Sequence, residues 1–178
     1  VNWIDAITRN PVNHTHNLSL RGGTEKTNYI ASITYRKQDG ILLNTGKEAL
    51  TFKIGLNHSM MDDKLKIQLN VNNSTIKQDV TWYNAYLQAC LMNPTRPVYN
   101  EDGSYKEYGT SYKPYNPVAL LNEETDQEKW NQLLASGKIT FSPIEGLNLS
   151  AMAAMQRYDS MRDKWNTFNY FTTTIDRK

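Results

Sequence analysis

The sequence has little of several features that mark common protein classes. It contains one cysteine, Cys90, which excludes an internal disulfide framework. It has no run of about 18 apolar residues, so we expect no transmembrane helix. The net charge of +2 gives no strong case for binding nucleic acid. We find no nucleophile elbow, P-loop or glycine fingerprint, so we expect neither an enzyme nor a cofactor.

The composition favours strands and polar loops over long helices. Asparagine is common, and 11 tyrosines far outnumber 4 phenylalanines. The chain starts at Val1 and ends in "TTTIDRK". We therefore interpret it as a piece of a longer protein.

Alternation of apolar and polar residues is the main structural signal. Side chains of a strand point to opposite faces with a period of two, so a half-buried strand must alternate. The clearest example places Leu65, Ile67 and Leu69 opposite Lys66 and Gln68. Six segments alternate in this way, at 17–21, 28–36, 50–57, 64–72, 133–141 and 147–156. A seventh, around 168–174, is weaker.

The connections between these segments alternate in length. Short polar turns join the first and second, third and fourth, and fifth and sixth segments: "GGTEKT", "MMDDK" and "SPIEG". About a dozen residues join the second to the third, and 76–130 join the fourth to the fifth. In an antiparallel meander, all long loops then lie at one end. That asymmetry is typical of transmembrane β-barrels, although a soluble β-sandwich also has unequal hairpins.

The long connection 76–130 should contain two helices. The first lies in "DVTWYNAYLQACLMNP", with Asp79 or Thr81 as its cap. Its packed face would consist of Trp82, Tyr86, Ala89 and Cys90. The second starts in "YNPVALL", where Asn116 is the cap and Pro117 the first helical residue. Cys90 has no general base near it in sequence and is interpreted as inert.

Aromatic residues of this loop are the best lead to a binding site. Tyrosine and tryptophan rings can stack on sugars or pack on peptides while offering polar edges. The alternative is that they pack the loop against itself. A turn is expected between them, at Asp102-Gly103. The candidate substrate-binding residues are Trp82, Tyr83, Tyr86, Tyr99 and Tyr105.

Metal binding finds weaker support. His14 and His16 would share one side of a strand, but no third ligand follows at a suitable spacing. The acidic residues at Asp62-Asp63 and in 123–126 contain oxygen ligands of the kind that calcium takes. Such runs are more often solvated turns, and we predict no metal site.

Several longer stretches resemble the SusC/RagA-type TonB-linked outer-membrane transporters. The strongest is "HNLSLRGGTEKTNYIASITYRKQDGIL", 16–42. It is followed in the family's order by "NPTRPVYNEDGSY", "YNPVALLNEETD" and "PIEGLNLSA". The resemblance covers nearly the whole chain, and the motifs are specific as a set.

The resemblance implies an all-β fold, an antiparallel meander of about six to seven strands within a transmembrane β-barrel. Such barrels have about 22 strands and an N-terminal plug. Residues 76–130 would form a long, partly helical extracellular loop, and the plug would lie outside this chain. The implied function is import of glycans or oligopeptides across the outer membrane, driven by TonB and assisted by a SusD-like lipoprotein. The alternative is a soluble β-rich module that binds carbohydrate or peptide.

Overall fold

The computed structural model describes residues 1–81, 84–108 and 115–167. A short helix and four strands come first: α1 (Trp3–Ile7), β1 (Asn13–Gly23), β2 (Thr27–Asp39), β3 (Gly46–Met60) and β4 (Leu65–Val80). Two helices and two long strands follow: α2 (Asn84–Leu91), α3 (Pro117–Glu123), β5 (Glu124–Ile144) and β6 (Leu147–Asn166).

The six strands form one antiparallel sheet in the order β1-β2-β3-β4-β5-β6. This confirms the meander that the alternation predicted. Each strand is longer than its alternating segment, and β5 reaches 21 residues. The expected seventh strand, around 168–174, lies outside the described residues.

The strand register joins the apolar sides of all six strands into one continuous face. Ile54 lies opposite Val71, Val71 opposite Ala135, and Ala135 opposite Met155. The same register continues to β1, where Leu20 lies opposite Ala31. Because a slip of one residue would reverse the sides of a strand, this agreement fixes which face is apolar. We call it the apolar face.

The opposite side of the sheet, here called the polar face, collects the lysines of the strand interiors. Lys53 lies between Ser32 and Asn72, and Gln68 lies opposite Lys138. These pairs confirm that the lysines within the alternating segments, Lys53, Lys66 and Lys138, share one side.

The short connections lie at one end of the sheet. Met61, Asp62 and Asp63 turn from β3 to β4 with φ values of 56°, 51° and 66°, in the left-handed region. Glu145 and Gly146 connect β5 to β6, and Gly146 supplies a φ of 82° at no steric cost.

The connections at the other end are shorter than the sequence predicted. They span 40–45 and 81–123, because β2 extends to Asp39, β4 to Val80, and β5 begins at Glu124. The predicted limits of 76–130 therefore include several strand residues. Both faces of these strand ends are polar, so the alternation that marks a strand is lost there.

The buried core lies in the connections at this end. It is formed by Trp3, Ile7, Ala85, Ala89, Met92, Val118 and Leu121, here called the loop cluster. Leu42 and Leu43 of the 40–45 connection pack against it. The cluster thus joins α1, α2 and α3 to the β2–β3 connection.

Two details of the first loop helix differ from the prediction. Asp79 belongs to β4 and does not cap the helix; the described part of α2 begins at Asn84, and residues 82 and 83 lie outside the described residues, so a cap at Thr81 stays a prediction. Its buried face consists of Ala85 and Ala89, whereas Tyr86 and Cys90 are exposed. Of the predicted face, Ala89 is buried as expected, whereas Tyr86 and Cys90 were placed wrongly and Trp82 lies outside the described residues. Within the described part of the chain, no helix is long and apolar enough to cross a membrane.

The predicted cap of the second loop helix is confirmed. Asn116 Oδ1 accepts hydrogen bonds from the amides of Val118 at 3.1 Å and Ala119 at 3.3 Å. Asn116 Nδ2 also donates to the carbonyls of Val98 and Lys106, at 2.8 and 3.2 Å. The buried side chain therefore fixes the start of α3 and holds the preceding loop against it.

Candidate functional site

The candidate aromatic residues fall into two groups in the structure. Tyr99 and Tyr105 face each other across a small hairpin, with ring centroids 5.3 Å apart. Its turn contains Gly103, with a φ of 84°, as expected at Asp102-Gly103. Asp102 Oδ1 accepts hydrogen bonds from the amide and hydroxyl of Ser104, at 2.9 and 2.6 Å.

Exposure separates the tyrosines by role. Tyr86 is 52% exposed and Tyr99 is 51% exposed, so both rings can be reached from solvent. Tyr105 packs against the loop cluster, which gives it a structural contact. No ring contact links Tyr86 to the hairpin among the described residues. Trp82 and Tyr83 lie outside the described residues, and a substrate contact by any of the five stays a prediction.

A polar cleft of about 330 Å³ lies between the long connections and the strand ends from which these connections leave the sheet, here called the upper ends. Arg9 closes one side, donating to the carbonyls of Gly40 at 3.1 Å and Thr45 at 2.7 Å. Asn44 closes another, because its side-chain amide donates to Leu121 O and Asn122 Oδ1, both at 2.9 Å. These bonds tie the β2–β3 connection to the segment that follows α1 and to α3.

Ion pairs join β5 and β6 on the polar face, near the cleft. Arg162 of β6 donates to both oxygens of Asp126, at 2.8 and 2.6 Å, and lies 3.0 Å from Glu128. Lys164 lies 3.0 Å from Glu124. Asp126 is only 4% exposed, so the two-point contact supplies the partner that a buried carboxylate requires. The upper ends of β5 and β6 are thereby fastened together.

Trp130, an aromatic residue next to these ion pairs, was not among the site residues predicted from the sequence. Trp130 continues the alternate series of Glu124, Asp126 and Glu128 on the polar face, and the ammonium of Lys47 lies 5.9 Å from its ring centroid. Alternation could not identify it, because both faces of β5 are polar from Glu124 to Lys129 and the alternating segment begins only at Leu133.

Two glutamates near the loop cluster have perturbed acidity. Burial raises the pKa of Glu123, whose Oε2 has no hydrogen-bond partner among the described residues. Glu107 is exposed as a whole residue, yet partial desolvation of its carboxyl group, and then the charge of Glu123, raise its pKa to about 7. Desolvation also raises the pKa of Tyr105. The loop therefore holds acidic groups that favour the neutral form.

The two histidines of the sequence analysis lie together on β1. The His14 and His16 rings are 5.1 Å apart, and the His16 ring stacks on Tyr35 with centroids 6.5 Å apart. Among residues 1–81, 84–108 and 115–167, no three histidine, cysteine, aspartate or glutamate side chains cluster as metal ligands would.

Comparison with known proteins gives consistent neighbours. No family model matches the chain. It is 33% identical over 147 residues to the TonB-dependent receptor P26 of Formosa agariphila, covering 80% of the chain and 14% of that protein. The TonB-dependent receptor SusC of Bacteroides thetaiotaomicron is 24% identical over 161 residues, covering 78% and 16%. In structure, the chain matches the RagAB peptide transporter with a TM-score of 0.72 at 19% identity, covering 92% and 19%.

A six-stranded meander with one apolar face and unequal ends, together with these relatives, defines part of a TonB-dependent receptor barrel. Within that class, the chain belongs to the SusC/RagA type of TonB-dependent transporter. It spans 14% to 16% of the length of the two curated relatives described above.

Proposed function

We propose that this chain is a wall segment of an outer-membrane importer that takes up glycans or oligopeptides, with energy supplied through TonB. The observation that supports this most directly is the continuous apolar face across six strands. Leu18 is 72% exposed, Ile54 56% and Ile139 50%, although each lies on a regular, hydrogen-bonded strand of the sheet. Apolar side chains aligned on one face and left uncovered require a nonaqueous surrounding. Lipid supplies that surrounding for a barrel wall.

The competing interpretation, a soluble binding module, requires a second layer of protein over the apolar face. The described helices do not provide it, because α1, α2 and α3 pack with each other around the loop cluster. The membrane interpretation therefore explains the uncovered face with the elements that are present.

The unequal ends of the sheet support an orientation for the barrel. Barrels of this kind have short turns on the periplasmic side and longer loops outside the cell. In the proposed orientation, 24–26, 61–64 and 145–146 are periplasmic, and 40–45 and 81–123 are extracellular.

The extracellular loop offers a place for a lipoprotein lid. The similarity to SusC, and to a structure that holds RagA together with RagB, supports a SusD-like partner above the loop cluster. Tyr86 and Tyr99, the exposed aromatic residues of the prediction, face either this partner or the substrate. The polar cleft beside Arg9 and the Trp130 ring extend the candidate surface toward the barrel interior.

Fluorescence quenching by lipid tests the assignment of the apolar face. In the intact transporter with Cys90→Ala and no other cysteine, single cysteines replace Leu69 or Asn70, adjacent residues of β4 with opposite sides. After labelling with an environment-sensitive dye, lipids with brominated acyl chains should quench the dye at Leu69→Cys. The dye at Asn70→Cys is the matched control and should be quenched little. Equal quenching at both positions would reject the barrel wall.

Transport itself is tested in the native cells. Removal of the intact transporter should abolish growth on one polymer class, with peptide mixtures and glycan mixtures supplied separately. Inactivation of TonB should have the same effect. Growth that survives loss of TonB would contradict TonB-driven import.

A further inference from the structure

Toward the end of the sheet that carries the long loops, the apolar face gives way to polar and then to charged residues. We follow this face from the short turns toward the long loops. In four of the five strands from β2 to β6, the first charged residue met is basic: Lys37, Lys77, Lys129 and Arg157. In β3 it is Glu48.

Two of these lysines are direct neighbours. Lys77 of β4 lies opposite Lys129 of β5 in the register of the sheet. Residues directly opposite have Cβ atoms about 5 Å apart, and like charges placed there destabilise a sheet. Both side chains are exposed. The arrangement is unfavourable unless an anion lies between the two ammonium groups.

The other two basic residues of this set, Lys37 and Arg157, already have acidic partners. Lys37 lies 3.4 Å from Glu48, and Arg157 lies 2.8 Å from Asp159. Neither Lys77 nor Lys129 forms a salt bridge within the parts of the chain that the structure describes.

Acidic groups on the same face lie mainly farther from the apolar rows. Asp79 and Asp163 occupy the next row of the register, on either side of Gln127. Asp79 accepts a hydrogen bond of 2.7 Å from Gln127 Nε2. Glu48, which lies opposite Lys77, is the partner of Lys37. Uncharged polar residues separate the pair from the apolar rows: Asn73 and Thr75 in β4, and Asn131 in β5. The lysines are thus the first charged residues above the apolar rows of these two strands, with the row of aspartates on their far side.

The height of the pair matches the edge of a membrane. Twelve residues separate Leu65 from Lys77, and twelve separate Phe141 from Lys129. At about 3.3 Å per residue, this is about 40 Å along a strand. A strand tilt of about 40° reduces it to about 30 Å across the membrane, just beyond an apolar band of about 25 Å. The ammonium groups then reach the level of the lipid head groups.

We propose that Lys77 and Lys129 together bind a phosphate on the head group of an outer-leaflet lipid. A phosphate has several acceptor oxygens, so two ammonium groups on neighbouring strands can donate to it at once. The inference rests on the proposed barrel orientation, because that orientation places this end of the sheet at the outer leaflet.

The test uses the intact transporter, purified in mild detergent, and native mass spectrometry. The probes are lipid A, which carries phosphate groups, and the same lipid after removal of its phosphates. The double variant Lys77→Gln/Lys129→Gln should bind lipid A at least tenfold more weakly, since it loses both cationic donors to the phosphate. The matched control, Lys66→Gln/Lys138→Gln, alters the polar face of the same two strands and should bind lipid A normally.

The comparison also separates this inference from the proposed function. Brominated-lipid quenching at Leu69→Cys first establishes that each variant forms a barrel wall. Should the double variant fail to assemble, each single glutamine variant is used, and a partial loss is expected for each. Unchanged lipid A binding in an assembled variant would overturn the inference and leave the barrel intact. Equal binding of the dephosphorylated lipid, or displacement by inorganic phosphate at the same concentration as lipid A, would overturn it also.

Discussion

At the scale of single residues, one face of β4 should tolerate a charged side chain and the other should not. Leu69 lies opposite Leu56 on one side and Gly137 on the other, and its neighbour Gln68 lies opposite Asn57 and Lys138. Leu69→Arg would place a charge among lipid chains, and we expect it to cost about 2–4 kcal/mol of barrel stability. The measurement is urea unfolding of the intact transporter in lipid vesicles.

Gln68→Arg is the control for this prediction, because it adds the same side chain one residue away on the polar face. We expect a change much smaller than that of Leu69→Arg. Similar losses from the two substitutions would show that β4 does not have one lipid face.

Single residues also show which parts of the candidate site the sequence could predict. The Asn116 cap depends on the next three residues, so the local motif was sufficient. The cleft instead joins Arg9 to Thr45, and Asn44 to Asn122, across 36 and 78 residues of sequence. Pairings of that kind depend on the path of the strands, and no local pattern predicts them.

At the scale of elements, periodicity predicted each strand but few of its ends. Near the long loops, β5 begins "ETDQEK", where both faces are polar and alternation gives no signal. Helix α1 has only five residues, too few for a helical period. It is held instead by distant contacts, including a 3.0 Å hydrogen bond from Trp3 Nε1 to Asn93 O.

The long connection between β4 and β5 should be stabilised by mild acid. Glu123 and Glu107 have raised pKa values in the folded loop, so each retains a proton that the unfolded chain releases. The contribution of these two groups to the stability of the folded loop is therefore most favourable near pH 4.5, the ordinary pKa of glutamate. It becomes less favourable as the pH rises toward about 7, the pKa of Glu107 in the folded loop. Hydrogen exchange of the α3 amides in the intact transporter, corrected for intrinsic rates, should show faster opening at pH 7 than at pH 5.

Glu123→Gln and Glu107→Gln test the cause of this pH dependence. Each should slow opening at pH 7 and flatten the profile between pH 5 and 7, because an amide keeps the shape without the charge. Glu101→Gln, at an exposed position of the same loop, is the control and should leave the profile unchanged. A profile that stays steep in the double variant at positions 107 and 123 would assign the effect to other groups.

At the scale of the whole molecule, the sheet has unpaired edges and an uncovered apolar face. Among the described residues, β1 and β6 lie at the two edges of the sheet, and the helices leave the apolar face uncovered. In an intact barrel, neighbouring strands would pair with both edges and lipid would cover the face. The same features that fit the chain to a barrel wall therefore make it unsuited to water on its own.

We expect that a polypeptide of residues 1–178, produced alone in detergent-free buffer, is not a stable monomer. Its open edges will pair with other copies and its apolar face will associate, because nothing else removes either from water. Sedimentation velocity over a hundredfold range of concentration should show mass increasing with concentration. Addition of detergent should reduce the association, since detergent covers the apolar face without pairing the edges. A monomer at every concentration, with amide protection in the register of the six strands, would contradict the barrel interpretation and favour a soluble binding module.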